Sequence, residues 1–317
     1  VDVDRLLDGV RERLRTPPSC GVARVDLVVL DALRPGKLLR PDLVVRSAAA
    51  ALSEPRHAPE LDDHVVSGAL AVELLHVATL VHDDIIDAAP LRRGRPSVVA
   101  AAGTGTAIVV GDLLLARGAA AAADSSVAAA GVWAGALEQM AAGQLREEDL
   151  AAAPSVAAHA DYIALKTAAL FRASAEIGAL AVGADPVVVD AHGRFGHHFG
   201  MAFQHVDDLL DTIGDPAHLG KPVGADRANG VPTAVALVGQ GLSSEVTALV
   251  VDEIAAAGAA VERSPGGVAL LQWAADALQR ALLTALDDDG RQQAAPLVAA
   301  LDDAVRGRAG LETARPV

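Results

Sequence analysis

Apolar residues recur at three- and four-residue intervals through one segment after another of this chain, and that period constrains its fold more than any other feature. Leu61 to Ile86, Ala107 to Ala121, Val127 to Leu145, Ala157 to Val182, Val187 to Thr212 and Ser243 to Ala257 all carry it, built mainly from Ala, Val and Leu. Alanine and leucine are strong helix formers, so these segments read as helices. Glycine and proline fall between them, at Pro90, Gly94 to Pro96, Gly103 to Gly105, Gly183 to Pro186, Gly214 to Pro232 and Pro265 to Gly267. Alternating β-branched runs with hairpin turns are nearly absent. The expected fold is all-α. Several helices are apolar nearly all round, which implies burial at the centre of a large bundle or at a subunit interface. No Ser/Gly-rich or Pro-rich linker divides the 317 residues, a length sufficient for one large core. The expectation is a single domain over 1–317, its tail from about 311 loosely held.

Charge then removes one class of partner. With 41 Asp and Glu against 26 Lys and Arg the formal net charge is −15, and only 2% of residues are aromatic. Nucleic-acid binders carry a basic stripe, and those for single strands add stacking rings, so nucleic acid is not an expected ligand. The one cysteine, Cys20, permits no internal disulfide. The first residues are acidic and interrupted, without the basic and apolar regions of an export signal. Apolar stretches such as Val127 to Leu137 fall short of the ~18 residues a membrane span needs. These features lead to the expectation of a cytoplasmic protein with no transmembrane segment.

Two segments carry the chemistry. Val81-His82-Asp83-Asp84-Ile85-Ile86-Asp87 and His205-Val206-Asp207-Asp208-Leu209-Leu210-Asp211 each set three aspartates at i, i+1 and i+4 near the end of an apolar helix. The i and i+4 members share a face, so Asp83 with Asp87, and Asp207 with Asp211, present paired carboxylates. Like charges at that spacing repel, and a helix C-terminus adds negative potential. Stability does not explain such an arrangement; hard divalent cations do, because Mg²⁺ takes oxygen ligands and joins carboxylates to substrate phosphates. Basic residues follow each motif: Arg92, Arg93 and Arg95 after the first, Lys221 after the second. Guanidinium forks and ammonium groups suit phosphate oxygens, so acid and base together describe a metal-bridged polyphosphate site.

From about Lys37 to Thr233 these residues resemble, in order, the trans-isoprenyl (polyprenyl) diphosphate synthases. Gly36-Lys37-Leu38-Leu39-Arg40-Pro41 is similar to that family's Gly-Gly-Lys-x-x-Arg-Pro element. The first aspartate motif with Leu91-Arg92-Arg93-Gly94-Arg95-Pro96, then Gly111-Asp112, Lys166-Thr167, and Phe203-Gln204 ahead of the second aspartate motif, continue the match. The resemblance implies an isoprenoid-synthase-type helical bundle that condenses isopentenyl diphosphate head-to-tail with an allylic diphosphate (dimethylallyl, geranyl or farnesyl), in a homodimer that touches membrane only transiently, for product release. It also implies roles. Asp83, Asp87 and Asp207 would be the principal ligands of three Mg²⁺ ions, with Asp84, Asp208 and Asp211 as direct or water-mediated support. Arg92, Lys166 and Lys221 would hold the allylic diphosphate, and Lys37, Arg40, His76 and Arg93 isopentenyl diphosphate. The Lys166 and Thr167 carbonyls and the Gln204 side chain would shield the allylic cation. Residues one turn before Asp83, Ala78 and Thr79, would line the growing hydrocarbon, and their small size implies a medium- or long-chain product, with Leu75, Val72, Trp133 or Met140 able to cap the channel.

Two departures stand out: Pro35 replaces the first glycine of the family's pair, and Val231 stands where a lysine is common. Other histidines, His82, His197, His198 and His205, lack a spacing that demands metal and are expected to pack. Gln144 lines the cavity or packs. A terpene cyclase on the same fold is the near alternative, disfavoured by the intact second aspartate motif. A di-iron bundle is the distant one: Glu73-Leu74-Leu75-His76 fits its Glu-x-x-His signature, but the other copy, Glu54-Pro55-Arg56-His57, contains a helix-breaking proline.

Overall fold

A computed structural model describes residues 2–52, 59–215, 232–239 and 241–313. Among the described residues the chain is helical: α1 (Val3–Arg15), α2 (Ala23–Ala32), α3 (Leu39–Ala50), α4 (Pro59–Ile86), α5 (Val98–Ala102), α6 (Thr104–Ser125), α7 (Val127–Ala152), α8 (Val156–Ile163), α9 (Ala169–Ala181), α10 (Pro186–Ile213), α11 (Ala234–Val238), α12 (Ser244–Ala260), α13 (Gly267–Ala285) and α14 (Asp288–Thr313). A short antiparallel hairpin, β1 (Leu91–Arg92) and β2 (Arg95–Pro96), follows α4. The periodic segments all form helices. Several starts are set by side chains: the Ser97, Ser155, Thr233 and Ser243 hydroxyls each accept a backbone N–H three residues on.

The chain divides into two compact units, Val1–Leu137 with Ala173–Asp185, and Glu138–Arg172 with Pro186–Val317. In the first, α4 packs along α6 and against α3 and α1, burying Leu43, Val44, Val72, Leu75 and Leu114. Trp133 closes this core by donating its indole N–H to the Ala71 carbonyl at 2.9 Å. In the second, α10 packs on α12 and α13. All four phenylalanines of the chain gather there. Phe195, Phe199 and Phe203 form one stripe of α10, with Phe171 at 5.1 Å and Trp273 at 4.9 Å from the Phe199 ring. Tilted and edge-on rings at such distances are the favourable geometry for aromatic pairs.

Two expectations change. The segment Ala157 to Val182 is not one regular helix: a π turn, Ala164–Ala168, separates α8 from α9. A π turn holds an extra residue and breaks the i→i−4 ladder, and such turns concentrate at functional sites. Helix α7 closes on it, because a Cβ at Gly143 would lie 2.6 Å from the Lys166 nitrogen. Second, α4 and α6 are long and apolar enough to cross a membrane by length and composition, contrary to the reading of short apolar stretches. The apolar window of α4 is 72% buried within the protein, as for a core helix, while that of α6 is only 39% buried.

Candidate active site

In the first unit the acidic motif forms the end of α4. Ala88, at φ +48°, turns the chain out of the helix, and the hairpin is fastened back by the Ala89 N–H on the Asp84 carbonyl (3.0 Å) and the Ser97 hydroxyl on the Ala89 carbonyl (2.6 Å). Asp83 is half-buried and Asp87 exposed, on one helix face as the spacing requires. Asp84 turns inward and is 2% exposed. Its Oδ1 accepts from Arg92 Nε at 2.9 Å and Nη2 at 2.5 Å, which fixes the guanidinium against the end of α4.

The next arginine is held differently. Arg93 takes a left-handed backbone, φ +53°, and donates from Nη1 to the Arg34 carbonyl at 3.1 Å. A Cβ at Gly36 would stand 2.7 Å from that guanidinium, so the glycine leaves its space. Pro35 is tolerated because the left-handed residue of this loop is Leu38, at φ +50°. Lys37 is exposed. Arg40 Nη1 lies 3.3 Å from His76 Nε2. Burial lowers the Arg40 pKa to about 10 against the attraction of Glu73. It also pushes His76 well below the usual histidine range, helped by Arg40, Arg93 and Arg92. A neutral imidazole among guanidiniums is ready for an anion. Burial raises Glu73 as well, opposed by Arg40 and Arg93. Glu73 and His76 are thus bracketed by cations, the wrong surroundings for a di-iron centre; the second Glu-x-x-His, 54–57, lies outside the described residues.

Of the expected channel residues, Ala78 is 0% exposed, while Thr79 is half-buried with its hydroxyl on the His76 carbonyl at 2.9 Å. On the Asp84 side of α4 a cavity of about 400 Å³ is lined by Leu27, Val28, Val77, Leu80, Val98 and Arg92 among others.

The second unit supplies the other motif from the last two turns of α10. Asp207 is half-buried, and Asp208 and Asp211 are buried. The π turn carries Lys166 and Thr167. Thr167 Oγ1 donates to Gln204 Oε1 at 2.7 Å, and Gln204 Nε2 to Asp208 Oδ1 at 2.8 Å. Lys166 forms an ion pair with Glu147, which also accepts from the Tyr162 hydroxyl at 2.7 Å. Burial opposes ionisation of Glu147, yet the hydrogen bonds from Lys166 and Tyr162 outweigh it and its carboxyl falls below the usual range. Lys221 and Val231 lie outside the described residues.

The histidines mostly pack, as expected. His82 sits 3.4 Å from the Ile108 carbonyl and His198 Nδ1 2.7 Å from Glu253. His197 stacks edge-on to His198. His205 lies over His159, ring centres 6.2 Å apart, and burial lowers its pKa. Sequence reasoning missed Glu147 and His159. Glu147 falls one turn after Gln144 on α7, a usable signal; nothing in the spacing points to His159.

Both motifs offer carboxylate oxygens, which suit Mg²⁺ or Ca²⁺ rather than a softer metal, and at the second the His159 and His205 imidazoles also stand near Asp208. Asp84 and Asp208 are buried, and their oxygens accept from Arg92 and from Gln204 and the Ala234 N–H respectively. Residues 25–264 match the Polyprenyl synthetase family. The chain belongs to that family. It is a transferase of the prenyl diphosphate synthase type. The chain is 36% identical to a geranylgeranyl diphosphate synthase of Mycobacterium tuberculosis, over 80% of this chain and 75% of that one. It is 35% identical to heptaprenyl diphosphate synthase component 2 of Geobacillus stearothermophilus, over 72% of each. Among solved structures, a polyprenyl synthase from Caulobacter crescentus, complexed with calcium and isoprenyl diphosphate, shares 28% identity at a TM-score of 0.67, covering 96% of this chain and 97% of that one.

Proposed function

We propose that this polyprenyl synthetase condenses isopentenyl diphosphate head-to-tail with an allylic diphosphate (dimethylallyl, geranyl or farnesyl), working as one Mg²⁺-dependent catalytic domain in the cytoplasm. The observation that carries the reading is the end of α4. There Asp84 fixes the Arg92 fork on the hairpin that directly follows Asp83 and Asp87, so cation-binding and phosphate-binding groups are built by one helix end and its hairpin.

Asp83, Asp87 and Asp207 would hold Mg²⁺, three ions per site, with Asp211 in support. Bound Mg²⁺ supplies positive charge to a departing diphosphate. Arg92, Lys166 and Lys221 bind the allylic diphosphate, and Lys37, Arg40, neutral His76 and Arg93 bind isopentenyl diphosphate. Breaking the allylic carbon–oxygen bond leaves a carbocation and diphosphate. The π-turn carbonyls, Thr167 and Gln204 face the cation with preorganised dipoles and keep water from it. The isopentenyl double bond attacks, and the proton it must lose passes to the released diphosphate, so no separate protein base is required.

We further propose a product longer than fifteen carbons. No bulky ring stands one turn before Asp83, and a close-packed interior gives no room unless side chains there are small. The test is mass spectrometry of products made from isopentenyl diphosphate with each of the three primers. Chains beyond fifteen carbons are expected, and Thr79→Phe should shorten them. Wild-type product ending at farnesyl would refute the length, and absence of any condensation the reaction.

A further inference from the structure

Asp208 behaves unlike a residue of an acidic metal motif. It is 2% exposed, and both of its oxygens are in use. Oδ1 accepts from Gln204 Nε2 at 2.8 Å. Oδ2 accepts from the Ala234 N–H at 2.9 Å and lies 3.0 Å from His159 Nε2. A carboxylate has only acceptors to offer, so His159 Nε2 carries a proton and Gln204 must turn its amino group toward Asp208. That orientation has a consequence one bond further on. Gln204 then presents Oε1 to Thr167, 2.7 Å away, and an amide oxygen only accepts. The Thr167 hydroxyl is therefore the donor, and its lone pairs are left facing away from the chain. Every hydrogen in the series Thr167, Gln204, Asp208 points toward the carboxylate, which makes Thr167 Oγ1 the electron-rich far end.

We infer that Asp208 is a positioning residue that sets the polarity of this chain, so that Thr167 presents lone pairs rather than a hydrogen to the allylic cation. The inference rests on the prenyl-transfer reading above. A developing cation is stabilised by the negative ends of dipoles already aimed at it, without reorganisation at the moment of reaction. His159 and the Ala234 N–H secure the arrangement, because together they hold Oδ2 as an acceptor and leave Oδ1 to govern Gln204. The competing use of these groups is a metal site: His159, His205 and Asp208 each bring a ligand atom within 4.8 Å of the others, and two imidazoles with a carboxylate suit zinc or iron. Two donors on Oδ2 and one on Oδ1 already satisfy the carboxylate, which favours the hydrogen-bonded role.

Asp208→Asn reverses the chain without changing its shape. The new amide must keep its oxygen toward His159 and Ala234, so its NH₂ faces Gln204. Gln204 then flips and donates to Thr167, whose hydrogen swings outward. The expected result is a roughly 100-fold fall in kcat, with the Mg²⁺ half-saturation concentration and both substrate KM values within about twofold of wild type. In a Thr167→Val background the same change should cost little more, because the two residues act through one chain. Thr167→Ser should retain near wild-type kcat while Thr167→Val loses about tenfold, a comparison that stands even if Asp208→Asn does not fold. The melting midpoint in EDTA should not rise in Asp208→Asn, as it would on removing a repelling metal ligand. A tenfold or larger rise in Mg²⁺ half-saturation with kcat restored at high Mg²⁺, additivity of the two substitutions, or full kcat in Thr167→Val would each overturn the inference. So would stoichiometric zinc or iron in the purified protein that His159→Ala removes. Failure of the underlying reading is separate: wild-type protein would then make no prenyl product.

Discussion

The second aspartate of each motif shows how one carboxylate can be assigned by its neighbours rather than by its place in a pattern. Asp84 is buried on Arg92, which is partly exposed. Asp84→Asn removes the charge that aligns the fork, and the guanidinium is left half in solvent without its anchor. KM for the allylic diphosphate is expected to rise about tenfold, with a smaller change in KM for isopentenyl diphosphate, as steady-state kinetics with each substrate varied would read; equal changes in both would count against the assignment. Away from the site, His192 predicts a pH dependence. It is fully buried, with Nε2 2.7 Å from Ser264 Oγ, and burial lowers its pKa to about 4 from 6.5. The unfolded chain therefore takes up a proton below pH 6.5 that the folded chain refuses. The stabilisation is complete above that pH and is lost as pH falls toward 4. Between pH 7.5 and pH 5 the loss is about 2 kcal/mol. Urea unfolding at both pH values should show it, and His192→Gln should reduce the difference by that amount.

At the scale of elements, the π turn between α8 and α9 is the feature that periodicity alone could not show. Its residues, Ala164 to Ala168, continue the apolar spacing of a regular helix, and only the close approach of α7 at Gly143 exposes the break. Gly143→Ala brings a methyl group to within 2.6 Å of the Lys166 backbone nitrogen, where backbone must move. Overpacking of this kind typically costs about 1–3 kcal/mol. A lower melting midpoint is expected together with a fall in kcat, since Lys166 and Thr167 shift with the turn; a loss of stability with unchanged kcat would argue that the turn is a packing accident. The helices from Leu61 to Ala257 were legible because alanine-rich apolar faces repeat over several turns. The N-terminal α1 was harder to see: it is charge-rich, and only Leu6, Leu7, Val10 and Leu14 form its buried stripe. In α14, Pro296 inside the helix carries the signal of a break that the fold does not make. The aspartates were legible as candidates because charge in an apolar helix is costly without a use, Arg92 and Arg93 because they follow the first motif in a short hairpin, and Lys166 only through the family resemblance. His159 and Glu147 were not, since their partners are 49 and 19 residues away in Asp208 and Lys166 and only folding joins them.

For the whole molecule, a net charge of −15 makes copies of the chain repel, and such charge ordinarily keeps proteins apart. Helix α6 works against that. Its apolar window is only 39% buried, and Ile108 and Val109 stand 45% and 59% exposed. Between Thr104 and Ala123 its charged side chains are Asp112 and Arg117, of opposite sign. An apolar face with so little charge is a candidate association surface, and its many alanines allow helices to approach closely. A second copy of the chain is the occupant we propose for this face, because a two-fold axis lets the same apolar surface serve both partners. Sedimentation velocity at micromolar concentration is expected to show a dimer, and Val109→Glu should weaken it at least tenfold by adding a like charge to each side of the axis. A monomeric wild-type protein would argue against self-association. Flotation with anionic vesicles would assign α6 to a membrane surface instead, and activity that appears only on adding a second polypeptide would make the chain one component of a heteromeric synthase.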